Sequence, residues 1–340
     1  MKKISSLVAV SVSLLISACG GGGASDSSSP TSTVPPVTTP TVIPANLQTS
    51  VAAPNYSMPQ AANIFNAVNN FRASQGLGLL KQDLSLDIST SNHNNYCDVN
   101  KCYSHTEEPG KPGFTGVTPG DRAIYTNYGS SSVGEVAFGI SYLTPNNVET
   151  ALVDGLINTV YHRAVLMNQA ATDMGVGYLV KSSVVPGSPS PLFTVSLYID
   201  FGMKKIQNNA SDFVTVYPRD SQNDVVLFMN TEMPNPVPDI AMTQDAVSKG
   251  TSSPVSIMVA EGKILKIDSF KIKNASTGVD FSARLINYPA DTFVNPNSAF
   301  LIGKQPFEKN TKYTVEFSGS VSGTSVKKTW SFTTGTKTPF

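Results

Sequence analysis

The sequence contains three histidines, and their placement is the first indication of a functional site. His93, His105 and His162 all lie in the first half of the chain, and the second half has none. A neutral imidazole is a frequent metal ligand, and it is the side chain best suited to proton transfer near neutral pH. We therefore expect any site with such chemistry to lie in the first globular domain.

The start of the chain predicts export and lipidation. Lys2 and Lys3 precede an apolar stretch that is too short to span a bilayer as a mature helix, and Ile16-Ser17-Ala18-Cys19 follows. These four residues resemble the bacterial lipobox, so we expect a signal peptide over residues 1–18 and acyl chains on Cys19, with an ordinary secretory signal as the alternative. The acyl chains would hold the protein on a lipid bilayer in the cell envelope. An outer-membrane location, facing either the periplasm or the exterior, is the expectation.

The segment after Cys19 predicts a tether over residues 19–55. Gly, Ser, Thr, Pro and Val dominate its composition, and such a segment cannot bury enough apolar surface to fold. At roughly 3.1 Å per residue, its reach is on the order of 100 Å.

The two remaining cysteines predict a small local disulfide. Cys97 and Cys102 lie close together in a chain bound for an oxidising compartment, where thiols tend to be paired. A zinc site is the weaker alternative, because Cys-x4-Cys without a second pair supplies too few ligands.

Charge and motifs exclude several classes of function. Lys+Arg and Asp+Glu are balanced at 24 each, and there is no basic run with interleaved aromatic residues, so nucleic acid is not an expected partner. The mature chain has no Gly-x-Ser-x-Gly elbow, phosphate loop or dinucleotide fingerprint. The sequence thus offers neither a recognisable nucleophile nor a nucleotide-binding motif.

Periodicity predicts that helices precede strands in the first domain. Ile64, Val68 and Phe71 recur at helical spacing, and the long stretch over residues 100–132 reads as irregular. No regular βαβ alternation is present, which predicts an α+β layer fold. The expected elements are helices at residues 58–77, 83–98 and 147–158 and strands at residues 133–140, 174–180 and 192–201.

After about residue 208 the pattern changes to short β-rich runs bounded by Gly, Pro and Asn, and no helical period competes with them. The last two strands are separated by a turn expected at residues 319–323. We predict a small antiparallel β-sandwich over residues 208–340. Its ending, residues 328–335, resembles the last strand of bacterial immunoglobulin-like domains, which usually act as spacers or adhesive modules.

A series of short motifs runs through the first domain. They are Asn69, Arg72 and Gly76-Leu77, then Leu86 and His93, then Ser104-His105, Arg122, Gly134-Glu135 and Tyr161-His162-Arg163, and finally Gly175-Val176-Gly177. Their order and spacing resemble the bacterial branch of the CAP superfamily, the cysteine-rich secretory protein, antigen 5 and pathogenesis-related group. The resemblance implies a three-layer α-β-α sandwich, which we place at residues 56–207, with a cleft lined by two histidines and acidic residues.

By this resemblance, His105 and His162 match the two cleft histidines and Glu135 matches the acid of the Gly-Glu motif. The other acid of the family lies shortly before the second histidine in eukaryotic members, but residues 156–160 contain no carboxylate. Two imidazoles and one carboxylate could hold zinc or another divalent ion. Alternatively, the three side chains satisfy one another by hydrogen bonds.

Three further residues are candidates for supporting roles. Arg122 and Arg163 could each bind an acidic group of a ligand or form a structural ion pair with a buried carboxylate. His93 is expected to pack or to hydrogen-bond near its own helix.

The sequence favours a cell-envelope CAP-domain lipoprotein that binds a small molecule, a lipid or a protein in its His/Glu cleft, with or without a divalent metal, and that is not an enzyme. One alternative is a metal-assisted, peptidase-like hydrolase, with His105 and His162 on the metal and Glu135 activating water. Another is an adhesin or scaffold that uses the β-sandwich.

Overall fold

The computed structural model describes residues 42–142, 148–187 and 190–339, so the expected signal peptide, Cys19 and most of the expected tether lie outside the described residues. Val42–Phe340 form one compact unit. Its helices are α1 (Pro59–Ser74), α2 (Leu84–Asn100), α3 (Pro119–Tyr125), α4 (Val148–Ile157), α5 (Tyr161–Leu166) and α6 (Gln244–Gly250). Its strands are β1 (Lys81–Gln82), β2 (Val133–Tyr142), β3 (Asp173–Ser183), β4 (Leu192–Gly202), β5 (Val214–Tyr217), β6 (Gln222–Val225), β7 (Val255–Val259), β8 (Leu265–Asn274), β9 (Asp280–Phe281), β10 (Ala283–Asn287), β11 (Ser298–Gly303), β12 (Lys312–Val321) and β13 (Thr324–Thr334).

The first region is a three-layer α-β-α sandwich, as the resemblance implied. Its sheet has the order β1-β3-β4-β2 and is antiparallel except for the β1–β3 pair. Met174 and Val176 of β3 join the core on one face, together with apolar side chains of α1 and α4. On the other face, a Cβ at Gly175 would lie 2.2 Å from the carbonyl carbon of Leu86, so glycine is needed where α2 packs on the strand.

Buried hydrogen bonds fix the ends of the first two helices. Arg72 of α1 is fully buried and donates to the carbonyls of Gly78, Leu166 and Asn168 at 2.8–2.9 Å. Burial lowers the pKa of Arg72 to about 9. Asp83 caps α2 by accepting from the backbone N–H of Ser85. The predicted disulfide between Cys97, near the C-terminal end of α2, and Cys102, just after the helix, is confirmed.

Two short helices in this region were not predicted. Helix α3 lies within residues 100–132, which the sequence had indicated as irregular, and α5 lies where no element was expected. Helix α3 begins with a capping box, in which Thr118 accepts from the N–H of Asp121 and the Asp121 carboxylate accepts from the N–H of Thr118. Such short helices show too few turns for a hydrophobic period to be read.

The end of the expected tether is bonded to the folded part of the protein. Asn46 exchanges two backbone hydrogen bonds with Asn208, and the N–H of Gln48 donates to the side chain of Gln207. Asn46 and Gln48, which lie within the expected tether, are therefore joined by hydrogen bonds to the segment that follows β4.

The second region consists mainly of two sheets around a shared core. One sheet has the order β10-β11-β7-β5 and the other the order β6-β13-β12-β8-β9. All described pairs are antiparallel except β13–β6. The structure differs from the prediction in having helix α6 and in placing Gly319 inside β12, at a register shift, so the chain turns only after Val321.

The two regions are bonded to each other through buried groups. Arg163 of α5 donates to the carbonyl of Pro254 and to the hydroxyl of Ser256. Its guanidinium lies 4.4 Å from the ring centroid of Tyr217. Val160 belongs to the apolar core of the second region, and Met258 belongs to the core of the first. Helix α5, which carries His162, is thus held from both sides.

Candidate functional site

The first half of the candidate site is His105 and the carboxylate behind it. His105 follows α2 in a loop, and Glu135 lies on the central strand β2. The imidazole Nδ1 of His105 donates to Glu135 Oε1 at 2.8 Å. The His105 side chain is 44% exposed, whereas that of Glu135 is 1% exposed. The buried carboxylate therefore fixes the ring of a histidine that faces outward.

A buried cation compensates the charge of Glu135. Arg122 of α3 donates from Nη2 to Glu135 Oε2 at 2.6 Å and from Nη1 to the carbonyl of His105 at 3.1 Å. Burial alone would raise the pKa of Glu135, but the hydrogen bond from His105 and the Arg122 guanidinium hold it below the usual value. Arg122 is thus engaged by a protein carboxylate, the second of the two roles considered for it.

A second buried carboxyl group lies beside Glu135. Asp200 pairs with Glu135 across strands β2 and β4, and it accepts a hydrogen bond of 2.9 Å from the hydroxyl of Ser89. Burial and the neighbouring charge of Glu135 raise the pKa of Asp200 well above its ordinary value. A protonated Asp200 can donate to Glu135, which gives the carboxylate a further partner without adding a second buried charge.

The second half of the site is His162, and its carboxylate comes from beyond the first region. His162 Nδ1 lies 3.1 Å from Glu232 Oε1 and 3.2 Å from the hydroxyl oxygen of Thr159. The Thr159 hydroxyl donates its own hydrogen to the carbonyl of Leu156, so it accepts from the imidazole. The Nδ1–H of His162 is therefore hydrogen-bonded to Thr159, and the Glu232 carboxylate lies beside it at ion-pair distance.

Glu232 also holds the N-terminus of helix α5. Its carboxylate accepts from the backbone N–H groups of Val160, Tyr161 and His162 at 2.8–2.9 Å. A helix N-terminus has unpaired N–H groups and favours a negative charge. The carboxylate beside His162 therefore comes from a residue located 70 positions after it.

The two histidines line the same cavity, which has a volume of about 370 Å³. Most of the remaining lining is apolar or aromatic and includes Tyr103, Met233 and Met242. Nδ1 of His105 is hydrogen-bonded to Glu135, whereas Nδ1 of His162 is hydrogen-bonded to Thr159 and lies 3.1 Å from the carboxylate of Glu232. Within the part of the chain that the structure describes, no protein group is hydrogen-bonded to Nε2 of either ring. Both Nε2 atoms are therefore open to a ligand.

The donor set does not make a three-ligand metal site. Over residues 42–142, 148–187 and 190–339, no three His, Cys, Asp or Glu side chains are grouped so that they could hold a metal ion. Glu135 is not among the residues that line the cavity, and both its oxygens are bonded to Arg122 or His105. The expected arrangement of zinc on two histidines and Glu135 is thus not present in this conformation.

His93 and Arg163 have structural roles outside the cavity. His93 is fully buried, pairs with Glu107 through Nδ1 at 3.0 Å and donates from Nε2 to the carbonyl of Ser104 at 2.7 Å. These bonds position the loop that begins just before His105. Arg163 bonds backbone carbonyls and Ser256 instead of a buried carboxylate.

Sequence reasoning missed Glu107, Asp200 and Glu232. Asp200 carried a readable signal, because it interrupts the apolar strand Leu192–Gly202 and faces Glu135. Glu232 carried none, since it lies in a Pro-containing segment without regular structure. Its role depends on how the second region folds back onto helix α5.

Part of the chain is similar to known proteins. Residues 65–188 match the model of the cysteine-rich secretory protein family, CAP. An extracellular protein containing an SCP domain from Bacillus anthracis str. Ames is 24% identical, and the match covers 41% of this chain and 40% of that chain, with a TM-score of 0.29. An outer surface protein from Borrelia burgdorferi is 16% identical over 44% of this chain and 97% of that chain, with a TM-score of 0.28.

None of the curated proteins compared with the chain matched it. The family match covers the elements that carry His105, Glu135 and His162, but it ends before Glu232. Residues 65–188 of the chain are therefore identified as a CAP domain by the family model.

Proposed function

We propose that this protein binds a ligand in the cavity between His105 and His162. The observation that carries the proposal is that both imidazoles line one cavity, each with a buried carboxylate close to Nδ1 and each with Nε2 open. A neutral ring whose Nδ1 donates presents Nε2 as an acceptor, and a protonated ring presents it as a donor. The site can therefore bond a hydroxyl group or an anionic group.

The rest of the lining indicates the remaining chemistry of the ligand. Tyr103 and the thioethers of Met233 and Met242 offer apolar contact, and a cavity of about 370 Å³ lies within the size range of small-molecule sites. Methionine side chains adapt their shape to different apolar partners. The matching ligand has an apolar body and one polar or anionic end.

The geometry does not support hydrolysis with Glu135 as the general base. A general base must reach the proton that it removes, directly or through one water. Glu135 is 1% exposed and is bonded to Arg122 and His105, so it does not present a free carboxylate to the cavity.

The proposal also includes the location of the protein and the fold of its second region. Across the described residues, no helix is long and apolar enough to cross a membrane. We infer that acyl chains on Cys19 anchor the protein in the envelope. The two packed sheets of residues 214–334 support an immunoglobulin-like sandwich, whose segment around Glu232 forms part of the cavity wall.

A fluorescent probe tests the binding proposal. Anilinonaphthalene sulfonate has an apolar body and an anionic end, and its emission rises in an apolar cavity. We expect saturable binding that weakens at least about tenfold in the His105→Ala, His162→Ala double variant, because both bonding groups are lost. Asn95→Ala, an exposed change on α2, is the matched control. Equal affinity of the wild type and the double variant would refute the proposal.

A further inference from the structure

A second cavity is also lined by residues of both regions but not by the histidines. It has a volume of about 450 Å³ and is lined by α1, α4 and residues 217–222. Among the residues that line it in the described structure, none also lines the histidine cavity. Any ligand of this surface would therefore bind separately from the proposed ligand of the cleft.

Helix α1 presents a row of asparagines to this cavity. Asn63, Asn66 and Asn70 are exposed and share one face of the helix. Asparagine is a poorer helix former than the Lys, Glu or Gln that could occupy a solvated face. In the described part of the chain these three side-chain amides make no hydrogen bond, whereas Asn69 is buried and bonds the backbone of Leu80. The row therefore offers donors and acceptors at a cost in helix propensity.

The remaining lining is aromatic and electrically balanced. Phe71 and Tyr217 contribute rings whose centroids lie 5.8 Å apart, and the Arg163 guanidinium packs on the Tyr217 ring. Asp154 and Arg219 are the charged residues among those that line the cavity in the described structure. Their charges are opposite, so the surface selects neither a polyanion nor a polycation.

Asp154 also lines an adjoining cavity of about 450 Å³, which extends the polar surface along α4. Asn230 lines that second cavity and is 3% exposed. Its amide nitrogen donates to the carbonyl of Gly155 at 3.1 Å, but its Oδ1 has no partner among the described residues. A buried acceptor without a donor is costly, and a bound ligand with a hydroxyl group would satisfy it.

We propose that this surface, formed by the two adjoining cavities, binds a neutral oligosaccharide. Sugar hydroxyl groups both donate and accept hydrogen bonds, and carboxamides are the side chains that do the same with separate atoms. The charged residues that line the two cavities are Asp154, Arg219 and Lys337, so the net charge of the described lining is small. An uncharged chain suits such a lining, and the apolar face of a sugar ring can pack on an aromatic side chain. Phosphate-bearing ligands would need more cations than the lining provides, and acyl chains would need fewer amides.

Calorimetric titration of the full chain with cellotetraose, tetra-N-acetylchitotetraose and maltotetraose tests the proposal. At least one of the three is expected to bind in the micromolar to millimolar range. The Asn66→Ala, Asn70→Ala double variant is expected to weaken that binding at least about tenfold, because it removes two amides from the lining. Both changes increase helix propensity, so the variant is expected to fold.

The matched control is Asn95→Ala, which removes an exposed helical asparagine on α2 outside both cavities. It is expected to bind the sugar as the wild type does. The double variant is also expected to retain anilinonaphthalene sulfonate binding in the histidine cavity. Failure of all three sugars to bind, or equal sugar affinity in the wild type and the double variant, would overturn the oligosaccharide proposal and leave the proposed function of the cleft untouched.

Discussion

The two histidines of the cavity reach the same local geometry by different electrostatic means. His105 bonds Glu135, whose charge is balanced by the guanidinium of Arg122. His162 lies 3.1 Å from Glu232, whose charge is balanced by three backbone N–H groups at the start of α5. In both cases a carboxylate lies beside Nδ1 and Nε2 is left open. The first arrangement uses a buried ion pair, and the second uses a helix N-terminus.

The two arrangements also differ in where their residues lie in the chain. Arg122, Glu135 and His105 all fall within the family match at residues 65–188, so the first arrangement belongs to the CAP domain alone. Glu232 falls outside the match and joins the second region to the domain. Substitutions in the first arrangement are therefore expected to destabilise the CAP domain itself. Substitutions in the second are expected to loosen the contact between the two regions and to reorient His162.

The largest effect is expected from Arg122→Ala. The change leaves Glu135 buried at 1% exposure without its cation, and breaking a buried pair on one side typically costs about 3–5 kcal/mol. Urea unfolding should show this loss in the free energy of unfolding. Arg219→Ala removes an exposed arginine for which the described structure shows no ion pair, and it should change stability little. Equal stability of the two variants would contradict a buried ion pair at Glu135.

An intermediate effect is expected from Glu232→Gln. The amide retains one acceptor oxygen but turns an N–H group towards backbone donors, and a hydrogen bond to a charged group is worth about 1.5–3 kcal/mol. We expect a loss of that order in the free energy of unfolding, together with weaker probe binding in the cavity. Glu308→Gln, at an exposed glutamate, serves as the control. If Glu232→Gln destabilises the protein but binds the probe normally, Glu232 has no part in orienting His162.

A smaller, pH-dependent effect is expected from Asp200→Asn. Because burial and Glu135 raise the pKa of Asp200 in the folded state, the native protein holds a proton that the unfolded chain has released. The free energy of unfolding should therefore fall as the pH rises from the ordinary Asp value to the raised one, by at most about 1.4 kcal/mol per pH unit for one proton. The asparagine variant lacks this slope and can still donate to Glu135.

Thermal unfolding of the wild type and of Asp200→Asn across a pH series measures this difference. The variant should be at least as stable as the wild type at alkaline pH, and its advantage should shrink as the pH falls. Glu135, whose pKa is held low, acts in the opposite sense and loses its contribution only as the pH falls. Parallel profiles for the two proteins would show that Asp200 is ionised in the native state.

The length of each helix or strand decided whether the sequence could predict it. Helices α1, α2 and α4 and strands β2, β3 and β4 are long enough for a hydrophobic period, and the sequence predicted each of them near its observed bounds. Helices α3, α5 and α6 have six or seven residues and were missed. Their boundaries are set by caps, such as Thr118 and Thr243, and by tertiary contacts.

The candidate site also has a part that the sequence could predict and a part that it could not. His105, Glu135 and His162 were predicted from a resemblance that lies within one domain, and the structure places both histidines in one cavity and Glu135 behind the first. The partner of His162 could not be predicted, because a contact over 70 residues depends on how two regions pack. Local sequence can predict such a contact only if each of the two contacting segments carries a recognisable motif.

The smallest expected effect is that of zinc. Two Nε2 atoms are open, but the described residues supply no third ligand, so zinc should add far less stability than the roughly 10–16 kcal/mol of a structural zinc site. Calorimetric titration of residues 42–340, compared with the His105→Ala, His162→Ala variant, measures this. Tight zinc binding that disappears in the variant would show that the two arrangements close around a metal, and a hydrolytic role for the cavity would then have to be tested with envelope substrates.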